Sequence, residues 1–311
     1  MIARIADHLC WLGRYVERAD ATARLLIVTR TLALDADLSA EELWLPVLVA
    51  AGEDAPYLAR FPGPVDGDQV ETYLTWDCGV SLLSSVRAAR ENAWSVRSTS
   101  SLEVWQAINE LHLWLEADGR KLFERSRHDF YRRVQRFAQL IFGLTQSTML
   151  HDQALDLLWL GVLLERAGQV ARAIDVHHLA LFEAPDPAVG AMMWLGVLRV
   201  CSAYEPFARR RPGQATGPNV AEFLLLEADF PRSIRFSLTE AHAALTRIAP
   251  PGSPAGQRAG AHLRRLCDWL DAIQRDTLAT DLHGILTHVV DDTARLGSLL
   301  WDDLFSGRAG A

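Results

Sequence analysis

One stretch constrains the fold of this chain more than any other, because it occurs twice. Trp11-Leu-Gly-Arg-Tyr-Val-Glu-Arg-Ala-Asp-Ala-Thr-Ala-Arg24 returns as Trp159-Leu-Gly-Val-Leu-Leu-Glu-Arg-Ala-Gly-Gln-Val-Ala-Arg172. Trp11, Gly13, Glu17, Arg18 and Arg24 recur as Trp159, Gly161, Glu165, Arg166 and Arg172, while Arg14 becomes Val162 and Asp20 becomes Gly168. Leu9, Leu12, Val16, Ala19, Ala23 and Ile27 keep the three- and four-residue spacing of a buried stripe, so the first copy reads as an amphipathic helix over 2–34. The second copy reads as a helix over 152–182. A helical glycine costs about 1 kcal/mol relative to alanine. Its presence at one place in both copies predicts a close helix–helix approach there.

Two further blocks repeat in the same order. Trp44-Leu-Pro-Val-Leu48 matches Trp194-Leu-Gly-Val-Leu198, and Leu74, Asp77 and Ser81 match Leu226, Asp229 and Ser233. These blocks predict an internal duplication, 1–148 and 149–311, inside a single domain spanning 1–311. Ser39 and Glu42 form a capping-box pattern before a helix that ends at Gly52. Helices are expected over 80–97, from Ser100 or Ser101 through Leu115, and over 129–146. In the second half they are expected from Trp194 to Tyr204, from Val220 to Ala228, from Pro231 to 248, and over 258–276 and 281–304. The Pro- and Gly-rich 52–68, the run 209–218 and the break 249–256 read as loops, and a polar segment near 117–128 leads into the helix over 129–146. Pro185 and Pro187 are expected to end the second Glu-Arg helix. No segment alternates with a period of two, so the fold class is all-α: a large helical bundle of about ten to twelve helices.

The 311 residues are 50% hydrophobic, enough to bury a substantial core, and carry a net charge of −8. Such a balance argues against a non-specific nucleic-acid binder. Cys10, Cys78, Cys201 and Cys267 are too scattered for a zinc ribbon or a disulfide scaffold. No uninterrupted apolar run suggests a membrane span, and Arg4, Asp7 and His8 interrupt any secretion signal, so a cytoplasmic location is expected. No metal site is expected either. His283 and His288 miss the spacing of a helical metal pair, and Asp175 with His178 is a lone pair. Phosphate-loop, nucleophile-elbow and His-Glu-x-x-His signatures are absent.

On a helix, Glu17 and Arg24 share a face, two turns and about 10 Å apart, whereas Arg18 points about 100° away from Glu17. Glu165 and Arg172 share a face in the same way. Local pairs Arg14–Glu17 and Asp20–Arg24 would each contribute a few tenths of a kcal/mol, but their partners are lost in the second copy. The pattern therefore suits contacts between helices. Such contacts could form a structural network joining the halves, or a site in which arginines clamp an amino acid, peptide terminus or phosphate. Candidate ligand-binding residues are Arg14, Arg18, Arg24, Arg166 and Arg172, with Glu17 and Glu165 as candidate catalytic carboxylates. Arg232 and Ser233, in the first turn of a helix opened by Pro231, form a second candidate surface with Asp229 as cap or nearby acceptor.

The opening Arg4-Ile-Ala-Asp7 through Arg24 resembles the start of the bacterial alpha-E proteins, an all-helical family named for a Glu-Arg motif. Arg87-Ala-Ala-Arg-Glu-Asn92, Leu163-Leu-Glu-Arg166, Val220-Ala-Glu-Phe-Leu-Leu-Leu-Glu227 and Phe230-Pro-Arg-Ser-Ile234 extend the likeness along essentially the whole chain. One departure is Cys78-Gly-Val-Ser81, where the family usually shows Asn-Pro-Ser-Ser. The resemblance implies a setting: alpha-E proteins stand beside, or are fused to, circularly permuted ATP-grasp proteins, often accompanied by transglutaminase-like peptidases. It implies a helical partner or accessory subunit of an amide or peptide ligase, binding the ligase or its amino-acid or peptide substrate. Any ATP would bind the partner, leaving this chain without a cofactor of its own. The alternatives are a stand-alone enzyme acting on the ligase product, with Glu17 or Glu165 as general base, and a purely structural bundle.

Overall fold

The computed structural model describes residues 3–35, 38–182, 187–213, 215–249 and 256–305. The first half runs through α1 (Ala3–Asp35), α2 (Ala40–Ala51), α3 (Asp54–Arg60), α4 (Gly67–Thr72), α5 (Leu82–Ser95), α6 (Leu102–Trp114), α7 (Arg120–Arg125) and α8 (Arg127–Thr148). The second continues with α9 (Gln153–Phe182), α10 (Pro187–Val200), α11 (Tyr204–Arg210), α12 (Gly217–Leu226), α13 (Ile234–Ile248), α14 (Gln257–Asp271), α15 (Arg275–Thr280) and α16 (Leu282–Leu300). Single π-helical turns extend α4, α6 and α16. No strand occurs among the described residues, so the protein is all-α as the periodicity predicts.

Helices α1 and α9 form the axis of the molecule and pack most extensively against each other. Around α1 lie α5, α8 and α10; around α9 lie α13, α16 and α2. On the outside, α6 packs on α5 and α8, while α14 packs on α13 and α16. One continuous apolar core includes Leu9, Leu12 and Leu26 of α1 and Leu160, Val162 and Ala167 of α9.

Polar side chains set the helix starts. Ser39 accepts from the Glu42 N–H while the Glu42 carboxylate accepts from the Ser39 N–H at 2.7 Å, the capping box read from the sequence. Ser81, Ser101 and Ser126 cap α5, α6 and α8.

Two stretches read as loop, and the polar segment 117–128, contain helix. Within 52–68, α3 forms because Pro56 falls in a first turn, where no intrahelical N–H is required. Its buried Tyr57 anchors it, donating to Gln69 at 2.9 Å. Buried Phe123 fixes α7 within 117–128, and α11 runs into 209–218 as far as Arg210. Pro187 opens α10 instead of ending α9, while Pro185 and most of the expected break at 249–256 lie outside the described residues.

Candidate functional site

Helices α1 and α9 cross at their glycines. A Cβ on Gly13 would stand 2.1 Å from the Leu158 carbonyl oxygen, and one on Gly161 would stand 2.0 Å from that of Cys10. Any side chain would force the axes apart, so backbone lies on backbone. The next turns of both helices are thereby within reach of each other, and these turns carry the Glu-Arg residues.

The pairing is reciprocal between the two helices. Arg166 grips Glu17 through Nε to Oε1 at 2.9 Å and Nη2 to Oε2 at 2.8 Å. Arg18 grips Glu165 the same way, at 2.8 and 3.1 Å. Adjacent helical residues point apart, so each glutamate takes its arginine from the other helix. The contacts between helices expected from the pattern do form; of the local pairs, Arg14–Glu17 is absent and Asp20–Arg24 is present, while Glu17–Arg24 and Glu165–Arg172 share a face without bonding. Arg24 turns to Asp20 at 2.8 Å, and Arg172 makes no hydrogen bond or ion pair among the described residues. Arg14 also leaves its own helix and pairs with Glu165 at 3.9 Å.

On one flank every charged group has an ion-pair partner, although the second carboxylate oxygen of Asp20, Oδ1, has no hydrogen-bond partner among the described residues. Arg232 spans Glu17 at 3.0 Å and Asp20 at 2.7 Å. Asp20 also receives Arg24, whose far end donates to the Ser202 hydroxyl. Ser202 has φ 52°, the one non-glycine residue among those described with a left-handed backbone. Burial alone would raise the Glu17 carboxyl, but Arg166, Arg232 and Arg24 outweigh it and lower its pKa to about 2. Arg232 is raised in turn, because Glu17 and Asp20 outweigh its own desolvation.

The other flank is open. Glu165 accepts from Arg18 and from Gln169 Nε2 at 3.0 Å, and beside them lies a cavity of 380 Å³. Arg14, Arg18 and Arg172 line it, with Glu165 the sole carboxylate among its lining residues. Burial pushes the Glu165 carboxyl up, but Arg18 and Arg14 overcome that and hold it low. Burial pulls Arg172 down; Glu165 opposes this, while Arg18 and Arg14 add to it. Three guanidinium groups around one carboxylate leave a surplus of two positive charges, an arrangement suited to an anion.

The candidates therefore separate. Arg14, Arg18, Arg172 and Glu165 share the cavity, whereas Arg24, Arg166, Arg232 and Glu17 belong to the closed network. The second candidate surface is corrected. The helix begins at Ile234, not Pro231, and Ser233 is its N-cap, accepting from the Phe236 N–H at 3.0 Å. Asp229 does not cap it; it is exposed and paired with Arg210. Ser233 and Asp229 thus have local structural partners. Asp175 bonds His283 Nδ1 at 2.7 Å, and the side chain of His178 lies outside the described residues. Among the described residues no group of three or more His, Cys, Asp or Glu could hold a metal ion, and no helix is long and apolar enough to cross a membrane.

Sequence reasoning missed a further buried carboxylate, Glu71, which pairs with Arg30 at 2.8 Å and with Arg127. It also missed the cavity residues Gly52, Val80 and Thr293. No motif marks these positions, although the block alignment puts Gly52 opposite Ser202 and Val80 opposite Arg232.

The reciprocal Glu-Arg pair at the centre of an all-helical fold is the feature by which the chain can be placed among known proteins. A family described as a predicted alpha-helical domain with a conserved ER motif, Alpha-E, matches residues 1–305. The chain belongs to the Alpha-E family. An uncharacterized Mycobacterium tuberculosis protein is similar to this Alpha-E chain, with 27% identity over 276 residues, 82% of the chain and 30% of the relative. An uncharacterized protein of Mycobacterium bovis matches with the same identity and coverage. The Alpha-E chain thus spans under a third of the length of these curated relatives. No solved structure matches it.

Proposed function

We propose that this Alpha-E chain is a helical accessory subunit of an ATP-grasp-type amide or peptide ligase system. It holds an amino-acid- or peptide-derived ligand for the ligase beside the Glu-Arg crossing. The observation that carries this reading is the cavity lined by Arg14, Arg18 and Arg172. It has the size of a small-molecule site, typically about 300–1,000 Å³, and its charge suits the acids that amide ligases join. The Glu17–Arg166 and Arg18–Glu165 pairs form the joint that supports it.

The chain has no glycine-rich nucleotide loop, so ATP belongs on the partner, a circularly permuted ATP-grasp protein. A transglutaminase-like peptidase is the second proposed partner. The much greater length of the relatives suits a region that works beside other domains. A catalytic role for Glu17 or Glu165 fits less well. Arginines hold both carboxyls below their ordinary range, and a general base works best with a pKa near the working pH.

Co-expression with a circularly permuted ATP-grasp protein from the same organism, followed by size-exclusion chromatography, tests the reading. One co-eluting species is expected, with ligase turnover that rises when this chain is added. Two independent peaks at micromolar concentration, with unchanged ligase output, would overturn it.

A further inference from the structure

We infer that the open cavity is a receptor for a carboxylate attached to an aliphatic body, in which the neighbouring amine is already acylated: an N-acyl amino acid or a peptide C-terminus. This rests on reading the cavity as a ligand site, but not on association with a ligase.

The two flanks of the α1–α9 crossing differ at matching positions. On the closed flank, Asp20, Ser202 and Arg232 fill the space next to Arg24. The repeated blocks put Gly168, Gly52 and Val80 at the corresponding positions. Local structure supports each correspondence. Gly52 and Ser202 both end a helix in a left-handed turn, with φ 69° and 52°. The hydrogen bonds match as well: Gly52 to Val49 and Glu53 to Leu48, against Ser202 to Arg199 and Ala203 to Leu198. Val80 and Arg232 each precede a serine N-cap, Ser81 and Ser233. Gly168 stands four residues before Arg172, as Asp20 stands four before Arg24.

All three of Gly168, Gly52 and Val80 line the cavity. The open space thus corresponds to the volume that Asp20, Ser202 and Arg232 occupy on the other flank. Arg172 keeps the guanidinium and lacks the carboxylate. A Cβ built on Gly168 would lie 3.3 Å from Arg172 Nη1, so the guanidinium stands over the missing side chain. A carboxylate from solution can take the place that the chain fills for itself with Asp20.

The rest of the occupant follows from its surroundings. Leu25, Val47, Leu74 and Leu164 supply an apolar wall, and the exposed Val49 and Val80 stand at the mouth. A free α-ammonium would lie among three guanidinium groups, with Glu165 already held by Arg18 and Gln169. An amide at that position carries no such charge.

Calorimetric titration of this chain with N-acetyl-L-leucine, L-leucine, N-acetyl-L-leucinamide and inorganic phosphate tests the inference. N-acetyl-L-leucine is expected to bind at least about tenfold more tightly than the other three, the loss typical of one charge-assisted contact. Arg172→Gln is expected to weaken it by about tenfold or more with an unchanged circular dichroism spectrum. Gly168→Asp is expected to abolish binding and raise the melting temperature, because Arg172 then acquires its own carboxylate. Its new side chain meets the movable end of Arg172 and the Thr293 hydroxyl, not backbone. Equal binding of the amide, tighter binding of free leucine, binding of phosphate alone, or full binding by Gly168→Asp would each overturn the inference. Co-elution with the ligase without N-acetyl-L-leucine binding sinks this inference alone. Binding without co-elution sinks the ligase association alone.

Discussion

At the scale of single residues, the two Glu-Arg pairs have similar geometry and different surroundings. Glu17 is fully buried, and its arginines are held in a closed network. Removing one partner of a buried pair leaves an uncompensated charge, typically costing about 3–5 kcal/mol. Arg166→Leu is therefore expected to destabilise the protein by about 3 kcal/mol in urea unfolding, since Arg232 remains on Glu17. Arg18→Leu should cost less, about 1–2 kcal/mol, because Glu165 keeps Gln169 and faces a cavity that admits water. Equal losses would contradict the distinction between closed and open flanks. The pH dependence follows from the same carboxylate. Its pKa falls from an ordinary 4.5 to about 2 on folding, so the unfolded chain binds its proton more readily. The stabilisation is complete above the unfolded value and is lost as pH falls toward about 2. Melting temperature should drop across that window, and Glu17→Gln should flatten the drop while lowering stability at neutral pH. The identities of these residues were legible because the motif repeats. Their partners were not, since helical angles place residues along one helix and say nothing about which residues face them from another.

At the scale of elements, the glycine crossing sets the geometry of the whole site. Gly13 and Gly161 touch backbone atoms, which cannot yield as a flexible side chain can. Gly13→Ala or Gly161→Ala is expected to cost about 3 kcal/mol, at the upper end of overpacking effects. The same change should also weaken ligand binding by shifting Arg18 relative to Arg172. Gly143, within α8, meets nothing within 4 Å, so Gly143→Ala should instead stabilise by up to about 1 kcal/mol. Denaturation of the three variants checks the contrast. The long helices were readable from their apolar stripes and serine caps. The short α3 and α7 were not, because single buried aromatics, Tyr57 and Phe123, hold them in place and leave no periodic pattern. The start of α13 was misplaced because Pro231 fits a helix N1 position as well as the turn it occupies, and only the Ser233 cap decides between them.

At the scale of the whole molecule, the contacts of α1 with α9 follow the rule of a subunit interface. In a twofold dimer, wherever position i meets position j, position j meets position i. Gly13 meets Leu158 as Gly161 meets Cys10, and Arg18 meets Glu165 as Arg166 meets Glu17. The contacts at the crossing of α1 and α9 thus run both ways, and the turn between Thr148 and Gln153 links α8 to α9. Leu150 in that turn is 80% exposed and open to a protease. A single nick there should leave two fragments that migrate as one particle and part only in denaturant.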